Sequence, residues 1–266
     1  MFLRATGRRP QLLAALLGIG VCSAQISLAA DFTPDQLRQL LASADRSKPA
    51  DLAGKDLSDL DLSNIDFKGA DLSGANLFGS RLASCNLAGA RLRRVNLNGA
   101  WLMGADFTRA DLSGSSMLSL VIEGGAIKTK PTFAGANLTG VRMIADLPGA
   151  DLSGADLSQA NLGVDIRNQG MGQMRMDLTG ANLAGANLRG ANLSRSLMMF
   201  ANLRGADLGG ANLFRVKLSG ADLTGADVTG ADFTEADLEN VVLKNARGVD
   251  ATKGMEKAVN RDRAVY

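Results

Sequence analysis

The most distinctive donor atoms in this chain are thioethers. Met171, Met174 and Met176 are closely spaced in the stretch RNQGMGQMRM, and Met199 is expected to stand near its end. Clustered thioethers in an oxidising compartment can bind Cu(I). Met also fills irregular gaps well, and this packing reading is the simpler, because a soft-metal site needs convergent geometry. Other chemistry finds less support. There is no His among the 266 residues, which removes the commonest general base and metal ligand. The Ser-rich stretch 113–119 has no base partner, and no glycine motif of a phosphate-binding or dinucleotide-binding loop occurs. Cys85 is the only thiol outside residues 1–30 and reads as a buried substitute for Ala. Neither an enzyme nor a resident cofactor is expected.

The many Asp residues sit in a repeat, and the repeat assigns them a place. In ANLAGANLRGANLS a Leu recurs every fifth residue, a period that suits neither a helix nor a strand. Such centres run unbroken from Leu52 to Ile122, resume at Phe133, and run again from Leu178 to Leu243. Two positions before each centre is Ala or another small residue, one before is usually Asp or Asn, and two after is most often Gly. In an extended segment the centre and the small residue share one face, and the Asp or Asn faces out. Gly supplies the positive φ of a tight corner. Extended segments alternating with corners turn the chain by a quarter circuit per repeat, so four repeats close a square coil with Leu stacked along its axis.

This pattern resembles the pentapeptide repeat family over roughly residues 50–245. The resemblance implies an all-β fold, a right-handed quadrilateral parallel β-helix, whose known members act as binding surfaces. Counting four centres per coil gives about ten coils and a rod on the order of 45 Å long. The count puts Leu52, Leu72, Leu92, Leu112, Phe133, Leu152, Leu178, Met198, Leu218 and Leu238 on one wall. Residues 167–176 then become a loop insertion at a corner. On the third wall, Trp101 and Met103 flank one centre outward, Val121 follows, and Arg142 and Ile144 come after. Arg81, one coil earlier, can lie over the indole. An outward strip of Arg81, Trp101, Met103, Val121, Arg142 and Ile144 is unusual among Asp, Asn, Ser and Thr, and marks a protein-partner or homodimer contact. Arg195 and Arg215 also stack on one face, with Glu235 next.

The flanks complete the expectation. Thr33, Pro34, Leu37, Leu40 and Leu41 predict a short N-terminal capping helix within residues 31–49. Residues 246–266 are expected to form a C-terminal cap and tail, with a short helix at 251–259 and a loose end after it. Residues 1–30 carry Arg4, Arg8 and Arg9 before an apolar run and read as a secretory signal peptide, through either the general or the twin-arginine route. Its removal takes three of the 29 Lys and Arg and none of the 27 Asp and Glu, leaving a net charge of −1. The expectation is a periplasmic or secreted, non-catalytic structural or interaction module, with no transmembrane segment in the mature chain and no nucleic-acid partner. A copper-binding envelope protein is the alternative. A DNA mimic that protects topoisomerases ranks below both, because mimicry wants a strongly acidic surface.

Overall fold

A computed structural model of the chain describes residues 30–45, 47–67, 69–122, 129–164 and 175–266. The segment read as a signal peptide therefore lies outside the described residues, apart from its last position.

Each repeat contributes one short extended rung and one corner. Leu52 N–H donates to the Asp71 carbonyl at 2.7 Å, and Asp71 N–H donates to the Ala50 carbonyl at 2.9 Å, which ties each rung to the next coil in parallel. The corner closes when Ala75 N–H donates to the Leu72 carbonyl at 2.9 Å, with Gly74 at φ +69 in the third position of the turn. The Asp or Asn before each centre completes that corner. Asp71 Oδ1 accepts from Ser73 N–H at 3.0 Å, and the pattern recurs up the walls. Asn side chains then bridge coils, as Asn96 Nδ2 donates to Asn76 Oδ1 at 2.9 Å. Inside, the Leu and Ala positions form one continuous cluster in which Leu203 is 1 % exposed.

Pairing fixes the order of the walls. The ladder that starts at Asp51 passes through Asp71, Arg91, Asp111, Asn137, Asp156, Asn187, Asp207 and Asp227 to Arg247, ten rungs in all. The wall order departs from the expected one after Ile122. Phe133 does not follow Leu112; Thr132 pairs with Asp106, 26 positions on instead of 20, and the Phe133 ring stacks on Phe107 with centroids 5.1 Å apart. Val121 and Thr132 are therefore only one wall step apart, despite the extra residues between them. The later insertion behaves alike, since Asp146 pairs with Asp177, 31 positions on. The corner before Leu147 is one residue short, and there the rungs lengthen into two three-residue strands. β1 (Ser116–Leu118) and β2 (Arg142–Ile144) pair in parallel with Met117 opposite Met143.

Both ends of the coil are occupied. Helix α1 (Pro34–Ser43) starts at Thr33, whose hydroxyl accepts from Gln36 N–H while the Gln36 side chain accepts from Thr33 N–H. Its buried Leu37 and Leu41 join the core cluster. At the other end the expected helix over 251–259 and loose tail are replaced by a last coil of six-residue units. Arg247, Lys253, Val259 and Val265 pair with Asp227, Asp232, Asp237 and Val242. Between them lie the 3-10 turns Val249–Ala251, Met255–Lys257 and Arg261–Arg263, each preceded by a left-handed residue, Gly248, Gly254 or Asn260. Val249 and Met255 pack against the core at this end. The six-residue unit replaces the inward Leu by Gly or Asn and so leaves no stack for another coil to continue.

Candidate functional site

On the third wall the chain brings Asp61, Arg81, Trp101 and Val121 into one ladder of consecutive rungs. The Arg81 guanidinium lies over the Trp101 ring, 5.0 Å from its centroid. Below it, hydrogen bonding by Ser63 holds the Asp61 carboxyl below the usual carboxylate range, with Arg81 and Arg38 adding to the effect. Trp101 and Val121 are half-buried, and Arg81 is exposed. The rest of the predicted strip does not join them. Arg142 pairs with Ser116, and Ile144 lies opposite Leu118, so both belong to the second wall. This follows from the corrected wall order. Met103 is 6 % exposed and is part of the wall's own packing. Beside it, Gly104 N–H donates to the Thr129 carbonyl at 2.8 Å.

Two of the four thioethers lie among the described residues, and one of these is not at the surface. Met176 is fully buried at an inward small-residue position and belongs to the core, so it is not a surface ligand. Met199 is half-buried on the third wall, and Met171 and Met174 lie outside the described residues. Cys85 is buried, donates its S–H to the Leu62 carbonyl at 2.9 Å, and has its pKa pushed up to about 12, mainly by burial. A thiol so placed is packing, as expected from its inward position.

Several charged side chains on the walls are matched in pairs one coil apart. Arg93 meets Asp111 at 2.5 Å, Arg204 meets Asp222 at 2.8 Å, and Arg91 meets Asp71 at 3.3 Å. One corner differs. Phe214 is held between Arg195 and Arg215, whose guanidinium carbons lie 5.8 and 4.9 Å from its centroid. The stacking of Arg195, Arg215 and Glu235 was legible from spacing. The contributions of Phe214 and of Arg175 were not, because Phe214 stands one residue outside the column and Arg175 ends an aperiodic stretch.

Comparison with known proteins agrees with this geometry. Pentapeptide repeats match in 8 copies over residues 50–83, 80–117, 132–163, 177–213 and 211–247. HetL from the cyanobacterium Nostoc sp. strain PCC 7120, a pentapeptide repeat protein involved in heterocyst differentiation regulation, is 30% identical with a TM-score of 0.51. That match covers 88% of this chain and 94% of HetL. Rfr23, a pentapeptide repeat protein from the cyanobacterium Cyanothece 51142, is 26% identical with a TM-score of 0.21, covering 46% of this chain and 90% of its own. QnrB1 (R167E, trypsin-treated), a plasmid-mediated fluoroquinolone resistance protein, is 18% identical with a TM-score of 0.33, covering 72% and 86%. No curated protein matches the chain. No helix among the described residues is long and apolar enough to cross a membrane. The chain belongs to the pentapeptide repeat family, and its fold is the right-handed β-helix of that family.

Proposed function

We propose that this protein is an exported, non-catalytic interaction module, a stiff rod whose third wall docks a protein partner or a second copy through Arg81, Trp101 and Val121. The observation that carries this reading is the half-buried Trp101 with Arg81 laid over it. Trp and Arg are favoured interface anchors, and an indole already clamped by a guanidinium loses little freedom on binding. The Asp ladder supports a binding role over chemistry, because its carboxylates are engaged in corner hydrogen bonds and ion pairs. HetL, named for a part in regulation, is consistent with a protein that acts by contact. The apolar run within residues 1–30 supports export.

Trp101→Ala tests this reading. It removes the anchor from the wall and leaves the inward Leu102 stack whole, so association should weaken by about 2 kcal/mol with little change in melting temperature. Crosslinked yield from the cell envelope measures a partner contact, and sedimentation measures self-association. A large fall in melting temperature with unchanged association would show that Trp101 serves the protein's own fold alone.

A further inference from the structure

The corner between the second and third walls is turned in early coils by Asp59, Gly79, Gly99 and Ser119, all at positive φ, which Gly adopts most readily. In three consecutive late coils the same step is taken by Arg195, Arg215 and Glu235, at φ +63, +57 and +57. A residue with a Cβ is strained there, and a strained position retained in successive coils points to a use for the side chain. Arg175 stands at the same step one coil earlier, since Asp177, Leu197 and Lys217 pair in sequence.

Phe214 stacks against both Arg195 and Arg215, which orients the two guanidinium planes and leaves N–H edges free to donate. Arg175, Arg195, Arg215, Lys217, Glu235 and Val259 line one depression of about 300 Å³. Arg215 Nε meets Glu235 at 2.6 Å and Lys217 meets Asp237 at 3.2 Å, whereas half-buried Arg195 makes no ion pair among the described residues. Four cations therefore share a recess with one lining carboxylate.

We propose that this recess is an anion-binding site that takes neighbouring carboxylates from an acidic segment of a protein partner. Guanidinium forks match carboxylates bidentately. Arg175 and Arg215 are two coil steps apart, about 10 Å, and alternate side chains of an extended peptide lie about 6.8 Å apart, so two carboxylates fit within the column. Phe214 and Val259 offer apolar surface to their stems. Glu235 lines the recess, and Asp177 and Asp237 are rungs of the adjoining third-wall ladder. The choice of a peptide as occupant rests on the interaction reading above; the anion site itself does not.

The test uses the full chain and fluorescence anisotropy at low ionic strength, with labelled hexaglutamate and labelled oligothymidylate as probes. Hexaglutamate should bind, weaken as salt is added, and bind about tenfold more weakly to the Arg195→Gln/Arg215→Gln double variant. Glu235→Gln frees Arg215 and should tighten binding several-fold, a gain that a folding defect cannot produce. Arg204→Gln, which loses a pair with Asp222 elsewhere, should bind as the parent does. Absence of hexaglutamate binding, equal affinity in the double variant, no gain in Glu235→Gln, or tighter binding of oligothymidylate would each overturn the proposal. Trp101→Ala should leave hexaglutamate binding intact, so failure here and failure of the Trp101 contact are separate results.

Discussion

Gly205 and Gly254 have the same φ, +65, and very different surroundings, which makes them a matched pair for a substitution experiment. An Ala at either position bears the same left-handed backbone strain, about 1–2 kcal/mol. At Gly205 the new Cβ meets nothing within 4 Å. At Gly254 it would come 2.0 Å from Thr234 Oγ1 and 2.7 Å from Thr234 Cα. The hydroxyl can rotate away, but the Cα belongs to the backbone of the preceding coil, so the last coil must lift from its neighbour. Such overpacking typically costs about 1–3 kcal/mol. Gly254→Ala should therefore exceed Gly205→Ala by about 2 kcal/mol, or roughly 4–8 °C in melting temperature if unfolding is concerted. A terminal coil can instead peel off alone. Hydrogen exchange distinguishes the two, because Val259 N–H and Val265 N–H donate to Ala236 and Val241 in the ladder and would lose protection first. Equal melting temperatures, with unchanged protection at Val259 and Val265, would refute the close approach.

Two further outcomes are expected. Leu203→Asp should cost several kcal/mol, because it buries an unpaired carboxylate in the stack, whereas Arg204→Asp should cost about 1 kcal/mol or less, because the pair it loses with Asp222 is exposed; similar melting temperatures for the two would refute the inward and outward assignment. Stability should be flat from about pH 5 to 8, since the chain has no His and Cys85 titrates far above that range. Below it, stability should fall: Asp56, Asp61 and Asp227 have folded pKa values depressed mainly by hydrogen bonds from Ser58, Ser63 and Thr229. Their contribution is complete above the unfolded value near pH 4 and is lost as pH falls through the folded ones. A melting curve that drops steeply between pH 8 and 5 would contradict this.

The inward and outward positions, the coil of four repeats and the residues of α1 were legible because each depends on local spacing. Wall order after Ile122 was not. Eleven residues separate Ile122 from Phe133, and a count that minimises irregularity reads them as two repeats and one extra residue. The chain instead spends one step and six extra residues, which stacks Phe133 on Phe107. Two members of the predicted strip changed walls through that single step. The last coil was hidden for another reason. Without inward Leu its period is invisible to a search for apolar centres, although Gly248, Gly254 and Asn260 recur every sixth residue.

Every irregular coil returns to phase. Neither the added length before Thr132 nor that before Asp177 is a multiple of five residues, yet each later rung lands on the wall that it would have reached without it. The reading frame of this surface is thus the coil, and changes in chain length fall into two kinds. Corner loops and whole coils leave the bearing of every downstream side chain unaltered. Gain or loss of a single repeat would swing all that follows by a quarter turn. Trp101 lies on the third wall and the Arg195 column at the corner that leads into it, so the two proposed contacts adjoin one wall of the rod. One five-residue duplication between them would turn them at right angles, whereas a duplicated coil would only separate them by about another 4.8 Å. Heritable variation in the distance between the two patches therefore comes in coil-sized steps, and their alignment is kept or lost as a whole.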